Sequence, residues 1–242
     1  MSSDEVVRAR HGVTIVELLI VIAVLGVLLA LSLPALRGMR SSARNVAAEA
    51  TIRQHSTLIG TYVHDFKDAY PWLGLPDQNG MLTLLRQTGE PFTINYFETC
   101  SAWPSAMTSY YGDSWPHPSQ AYPVRRSGLA LYLYSCALIT DPAFWNERTR
   151  QGVSQWRATR ATEVSDPSRK ALLISAVEVE PYPRWVKEGL TMAMCDGTVG
   201  FYPRHRLADP VPSGDGTCPG FFHIRGYYGL DTPDGVRGRD IK

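Results

Sequence analysis

The polar and apolar positions of this chain separate its N-terminal segment sharply from the remainder. A polar leader, residues 1–12, precedes an apolar run in which Ser32 is the only polar side chain from Leu18 to Leu33. A helix of about 20 apolar residues matches the roughly 30 Å hydrocarbon core of a bilayer. The pattern therefore predicts a membrane-spanning helix over residues 13–36.

Beyond this run, apolar residues recur at spacings of three and four, which marks one face of a helix. The helix is therefore predicted to continue through residues 37–67 as an amphipathic segment. Pro34 lies inside it and removes one helical hydrogen bond, so we expect a bend there. The predicted apolar face consists of Leu36, Met39, Ala43, Val46, Ala47, Ala50, Leu58, Ile59, Tyr62 and Phe66.

The second half of the chain has the pattern of strands and turns. Residues 171–177 predict a buried strand. Asp196 and Gly197 lie between two strand-like runs and predict a hairpin turn with positive φ at both positions. We expect an α+β fold, in which a long kinked N-terminal helix packs on a C-terminal antiparallel sheet within a globular head over residues 68–242.

The segments between these elements give weaker signals. Residues 81–87 favour a short helix, and residues 91–126 an irregular connection. Residues 129–134 fit a helix or a strand equally well. Residues 141–145 predict a loop that opens a helical turn, and residues 209–242 predict loops over the sheet edge.

One carboxylate, Glu17, lies near the start of the apolar run. An acidic group at membrane depth is costly, and it is tolerated when it is paired. The position therefore indicates a function that needs this charge. In the alternative, Glu17 only reaches towards the lipid headgroups of a plain anchor.

Residues 12–17 and the apolar run after them resemble the N-terminus of type IV prepilins and of type II secretion pseudopilins. The resemblance implies that prepilin peptidase cuts between Gly12 and Val13 and N-methylates Val13. It also implies that Glu17 is the family's glutamate and that Pro34 is its helix-bending proline. The first mature residue of this family is usually Phe, and Val stands at this position instead.

The resemblance implies a structural subunit rather than an enzyme. Such a subunit is held in the bacterial inner membrane by a single pass, with its head in the periplasm. It then joins a filament through an inner-membrane assembly platform, so its partners are prepilin peptidase, other subunits and membrane lipid. In a staggered helix bundle, Glu17 of one subunit meets the Val13 amine of its neighbour.

Two alternatives remain open at the sequence level. One is a periplasmic enzyme or ligand-binding domain on a plain single-pass anchor, which has no need for Glu17 after Gly12. The other is a secretory signal peptide that is cleaved near residues 30–32, although Glu17 is unusual inside such a segment.

The Asp196–Gly197 turn also resembles the C-terminal hairpin of a group of bacterial pilin-like proteins. Their pattern has a His ten residues before the Asp, and Val186 occupies that position in this chain. The resemblance to this group is therefore partial, and no role of that His is transferred.

The four cysteines contain no Cys-x-x-Cys pair, so a zinc site is poorly supported. In an exported domain they fit two disulfides, for which three connectivities exist. Proximity in sequence favours Cys100 with Cys136 and Cys195 with Cys218, and free buried thiols are the alternative.

Charge and motifs give little support for other functions. The net charge is +1 and no basic run is interleaved with aromatic residues, so nucleic acid is not predicted as a partner. The sequence also lacks His-x-x-x-His and Gly-x-Ser-x-Gly motifs, and we predict no catalytic residue and no cofactor. A calcium loop and solvated turns are both open for Asp209, Asp215, Asp231 and Asp234.

Overall fold

The computed structural model describes residues 15–85, 91–111, 132–175, 189–211 and 228–242. The chain divides into two units, Met1–Asn45 and Val46–Lys242. The predicted cleavage site at Gly12 and Val13 lies outside the described residues, as do Val186, Asp215 and Cys218.

The first element is the helix α1, Ile15–Asp65, which has 51 residues. It is helical without a break through Pro34, whose side chain is not among those described. The bend at this proline therefore stays a prediction. Within the described residues, we find no helix that combines the length and the hydropathy required to cross a membrane.

The part of α1 that follows Val46 supplies one face to the core of the second unit. Ile52 and Ile59 are fully buried and Tyr62 is nearly so. The predicted face is confirmed at Ile59 and Tyr62. It is wrong at Val46, Ala47, Ala50 and Phe66, which are exposed. The buried face instead includes two polar residues, His55 and Ser56, which a search for apolar periodicity passes over.

Within the described ranges, six strands form two antiparallel sheets. The strands β1 (Met81–Leu85) and β2 (Pro91–Asn95) pair with each other. The four-stranded sheet has the order β3-β4-β5-β6. Its strands are β3 (Tyr132–Tyr134), β4 (Ala171–Ser175), β5 (Gly189–Met194) and β6 (Val199–Pro203). The predicted α+β class with a C-terminal antiparallel sheet is confirmed and is consistent with a pilin-like fold.

The segment before this sheet corrects two sequence predictions. The helix predicted at residues 81–87 is wrong, because β1 pairs Leu82 with Ile94 and Leu84 with Phe92. Leucine fits a helix or a strand, and a partner strand decides between them. The segment predicted to be irregular contains β2 and two short helices, α2 (Thr99–Ala102) and α3 (Thr108–Tyr111).

The predicted hairpin joins β5 and β6, but its turn differs from the one expected. Met194 N donates to Thr198 O at 2.8 Å, and Gly197 N donates to Met194 O at 3.0 Å. Positive φ occurs at Gly197 (87°) and not at Asp196. The turn therefore has three residues, Cys195 to Gly197, with one left-handed position filled by glycine. Asp196 instead accepts the Thr198 N–H on Oδ1 at 2.9 Å.

The C-terminal segment, residues 228–242, is part of the core rather than a cover over the sheet edge. Leu230, Val236 and Ile241 are buried, and Ile241 forms a bridge with Leu207. The prediction of loops is therefore confirmed for this segment, which consists mainly of turns, but their expected position over the sheet edge does not account for the buried side chains.

Candidate functional site

The exposed N-terminal part of α1 is the first candidate site. All side chains from Ile15 to Leu28 are exposed, and the large apolar ones have between 52 and 79 % of their surface accessible. A helix that is apolar all round requires an apolar environment, which lipid or other helices supply. This segment of the isolated chain thus offers an extensive surface for association.

Glu17 is the one acidic residue in the first turn of α1. A carboxylate in this position interacts favourably with the positive end of the helix dipole. The Val13 amine that Glu17 is predicted to meet lies outside the described residues, so its pairing stays a prediction.

His55 is the main polar residue on the buried face of α1. Its Nδ1 lies 2.9 Å from Tyr111 Oη. The rings of Trp103 and Tyr132 have their centroids 5.6 and 5.4 Å from the imidazole. Burial lowers the pKa of His55 to about 4, so the ring is neutral at pH 7. His55 therefore connects the helix to α3 and β3 as an uncharged polar group.

His64 and Asp65, later in the same helix, are exposed. Asp65 accepts a hydrogen bond from Tyr110 Oη at 2.7 Å. The two residues therefore form no buried acid–base pair. This geometry agrees with a solvated helix face.

The most unusual polar group of the head was not identified from the sequence. Lys170, just before β4, is fully buried, and its Nζ lies 2.9 Å from Asp240 Oδ2. The ammonium also donates to Thr232 Oγ1. Asp240 in turn accepts the Ala171 N–H on Oδ2 at 2.8 Å and the Thr232 hydroxyl on Oδ1. We call Lys170, Thr232 and Asp240 the lysine cluster.

The cysteines do not form an obvious chemical site. Cys100 and Cys136 are buried, while Cys100 and Cys195 are free thiols. Burial raises the pKa of the Cys195 thiol to about 12, so it is protonated and unreactive at neutral pH. The structure therefore does not form the predicted pairs Cys100–Cys136 and Cys195–Cys218, and the free thiols agree with the alternative expectation.

Three of the four aspartates considered for calcium lie within the described residues. Asp209 lies 3.7 Å from Lys242 Nζ, Asp231 is buried, and Asp234 is a left-handed residue before a short 3-10 turn. In the part of the chain that the structure describes, no three His, Cys, Asp or Glu residues are grouped to hold a metal ion.

Comparison with known proteins bears on the N-terminus. Residues 7–33 match the family described as the prokaryotic N-terminal methylation motif. No curated protein and no solved structure matches the chain. The motif marks families of structural pilin-type subunits. Its match to the segment that leads into α1 supports a type IV prepilin- or pseudopilin-type protein, a substrate of prepilin peptidase.

Proposed function

We propose that this chain is a structural subunit, a pilin or pseudopilin, of a type IV pilus-like filament or a type II secretion pseudopilus. The observation that carries the proposal is the overlap of two features. The methylation motif at residues 7–33 contains the start of a helix whose apolar side chains are exposed on every side from Ile15 to Leu28. A subunit that associates through its N-terminal helix requires both features.

Processing prepares the helix for assembly. Prepilin peptidase removes residues 1–12 by cutting between Gly12 and Val13, and then methylates the Val13 amine. The new N-terminus carries a positive charge only four residues before Glu17. In a bundle of staggered helices, the Glu17 carboxylate of one subunit pairs with the amine of the next. Pairing compensates the cost of removing both charges from water.

Before assembly, residues 13–36 hold the subunit in the inner membrane, with the head in the periplasm. The support for this step is the apolar sequence from Leu18 to Leu33, together with the motif. The assembly platform then transfers the helix from lipid to the helices of neighbouring subunits. Both environments are apolar, so the exchange does not require the helix to be exposed to water.

The head has a structural part in this proposal. Its buried and half-buried polar groups bind one another: Trp72 Nε1 donates to Tyr96 Oη at 2.9 Å, and Thr159 Oγ1 donates to Leu138 O at 2.8 Å. Such pairs stabilise a fold that remains intact when the subunit is transferred. The head then forms the outer surface of the filament.

The test is the N-terminal sequence and intact mass of the protein recovered from its native membrane. A chain that begins at Val13, with or without one added methyl group, supports the proposal. A chain that begins at Met1 contradicts it and favours a domain on a plain anchor. A start beyond Ala30 indicates a signal peptide and contradicts the role of α1.

A matched pair of variants sharpens this test. Gly12→Val places a β-branched residue before the cut and is expected to leave the leader attached. Thr14→Ala changes a residue after the cut and is expected to be processed normally. Equal processing of both variants would show that the cleavage does not depend on Gly12.

A further inference from the structure

The lysine cluster brings an amine and a carboxyl group together where water is excluded. Lys170 has no exposed surface and Asp240 has 3 %. Burial of an ion pair is expensive unless each charge has further hydrogen bonds. Asp240 accepts three, from Lys170, Thr232 and Ala171. The Lys170 ammonium has three N–H groups and two partners among the described residues, Thr232 and Asp240.

The two carboxyl oxygens of Asp240 have different surroundings. Oδ2 is held by the backbone N–H of Ala171, which stabilises negative charge on that oxygen as an oxyanion-binding donor does. Oδ1 receives the hydroxyl of Thr232, whose oxygen in turn accepts from Lys170 Nζ. A chain of hydrogen bonds therefore leads from the ammonium through Thr232 to Oδ1.

We propose that Lys170 and Asp240 condense to an intramolecular amide bond in the folded head. The Lys170 Nζ–Asp240 Cγ bond forms, and the Asp240 Cγ–Oδ1 bond breaks. Two protons of the ammonium pass to Oδ1 along the Thr232 hydroxyl, and Oδ1 leaves as water. The third proton stays on the amide nitrogen, and Oδ2 becomes the amide oxygen, still bound by the Ala171 N–H. The step needs no oxidant, reductant or other reactant.

Two features of the site favour this step over a persistent ion pair. The reacting groups are held in contact by the fold, which replaces an encounter in solution. Water, which would reverse the reaction, is excluded by burial. The bond joins the start of β4 to the C-terminal segment, and it does not depend on the proposed filament function.

The chain contains a matched control for this chemistry. Lys242 Nζ and Asp209 Oδ2 are 3.7 Å apart, but both side chains are more than half exposed. This second Lys–Asp pair is an ordinary surface contact, because both charges are hydrated and no fixed geometry holds them together. We expect the bond at Lys170–Asp240 and not at Lys242–Asp209.

The experiment is mass spectrometry of the purified full-length protein after reduction of any disulfide bonds. We expect the measured mass to be lower, by the mass of one water molecule, than the mass calculated from the sequence after any leader cleavage and methylation. Trypsin is then expected to yield a branched peptide in which residues 170–184 are joined to residues 240–242, because an acylated Lys170 is not cleaved. An intact mass that equals the sequence mass, with free Lys170 in the digest, overturns the proposal.

Two variants test the assignment within the protein. Lys170→Arg keeps a positive charge but has no primary amine. Its intact mass is therefore expected to equal the mass calculated from its sequence, with no loss of water. Thr232→Val removes the hydroxyl relay and is expected to slow bond formation roughly a hundredfold, as is typical for loss of acid–base assistance. Loss of water in Lys170→Arg contradicts the amide bond at this lysine, and unchanged kinetics in Thr232→Val contradict the proton relay.

Discussion

His55 on α1 and Tyr111 on α3 are joined by a contact of 2.9 Å between Nδ1 and Oη. The two residues are 56 positions apart in sequence, and their contact attaches the helix to the head through a neutral imidazole. The rings of Trp103 and Tyr132 pack around the imidazole, and His55 is 7 % exposed. Protonation of His55 therefore introduces a charge into a site that does not solvate it.

We expect the head to lose stability as the pH falls from about 6.5 to about 4. The pKa of His55 is lowered from 6.5 to about 4 by burial, so the unfolded chain binds a proton in this window and the folded chain does not. The free energy of unfolding thus rises with pH across the window and is constant above it. The contribution of His55 is about 3 kcal/mol.

Urea unfolding at several pH values, followed by tryptophan fluorescence, measures this dependence. The difference between the wild type and His55→Gln isolates the imidazole, because the carboxylates titrate alike in both. His205→Gln is the control, since His205 is exposed. If His55→Gln has the same pH dependence as the wild type between pH 4 and 6.5, burial of a neutral His55 is wrong.

Glu17→Ala is expected to abolish incorporation into filaments while membrane insertion and leader cleavage continue. The substitution leaves the apolar helix intact but removes the proposed partner of the Val13 amine, and a buried positive charge without that partner is costly in the assembly. Comparison of the subunit in sheared filaments with that in membranes measures the effect. Glu49→Ala, which changes a carboxylate on the later part of α1, is expected to assemble. Normal assembly of Glu17→Ala would remove this carboxylate from the mechanism.

Ile59→Ala is expected to lower the free energy of unfolding by about 2–4 kcal/mol, because it leaves a cavity beneath α1. Ile59 has no exposed surface. The control is Thr57→Ala, two residues earlier. Thr57 is exposed and its hydroxyl bonds to Arg53 O of the same helix at 3.0 Å. We expect that variant to stay within about 0.5 kcal/mol of the wild type. Equal effects in urea titrations would mean that this face of α1 is not packed.

Gly189→Ala is expected to destabilise the head more than Gly197→Ala. A Cβ on Gly189 would lie 2.2 Å from Tyr202 O and 2.8 Å from Pro203 Cα, so the β6 backbone must move, at a cost of about 2 kcal/mol or more. A Cβ on Gly197 meets open space at φ +87°, where only the left-handed backbone costs about 1 kcal/mol. Thermal unfolding ranks the two variants, and the reverse order would contradict the close approach of β5 and β6.

Local signals were sufficient for the elements that the sequence predicted well. The β5–β6 hairpin depends on Asp196 and Gly197 and on the strands directly beside them. Likewise Asp141 begins a helical turn, since it accepts the Ala143 N–H on Oδ1 at 2.9 Å. The methylation motif is also local, and its match to residues 7–33 confirms the recognition of a prepilin-type N-terminus.

Contacts between distant residues account for what the sequence did not reveal. The strand Met81–Leu85 depends on pairing with Pro91–Asn95, which the leucine-rich pattern of β1 does not indicate. Lys170 follows Arg169 in a polar stretch that is typical of a surface turn. Its burial depends on Thr232, 62 positions later, and no local pattern connects the two.

The position of Asp240 also has a consequence for the order of biosynthesis. Lys170 leaves the ribosome before Asp240, the residue that neutralises it. Asp240 lies 69 positions after Ala171, whose N–H it accepts. Until the segment from Leu230 to Ile241 has been synthesised, the Lys170 ammonium beside β4 lacks its carboxylate partner. The core also lacks the buried apolar side chains of this segment. The head therefore completes its folding only after the segment up to Ile241 has been synthesised.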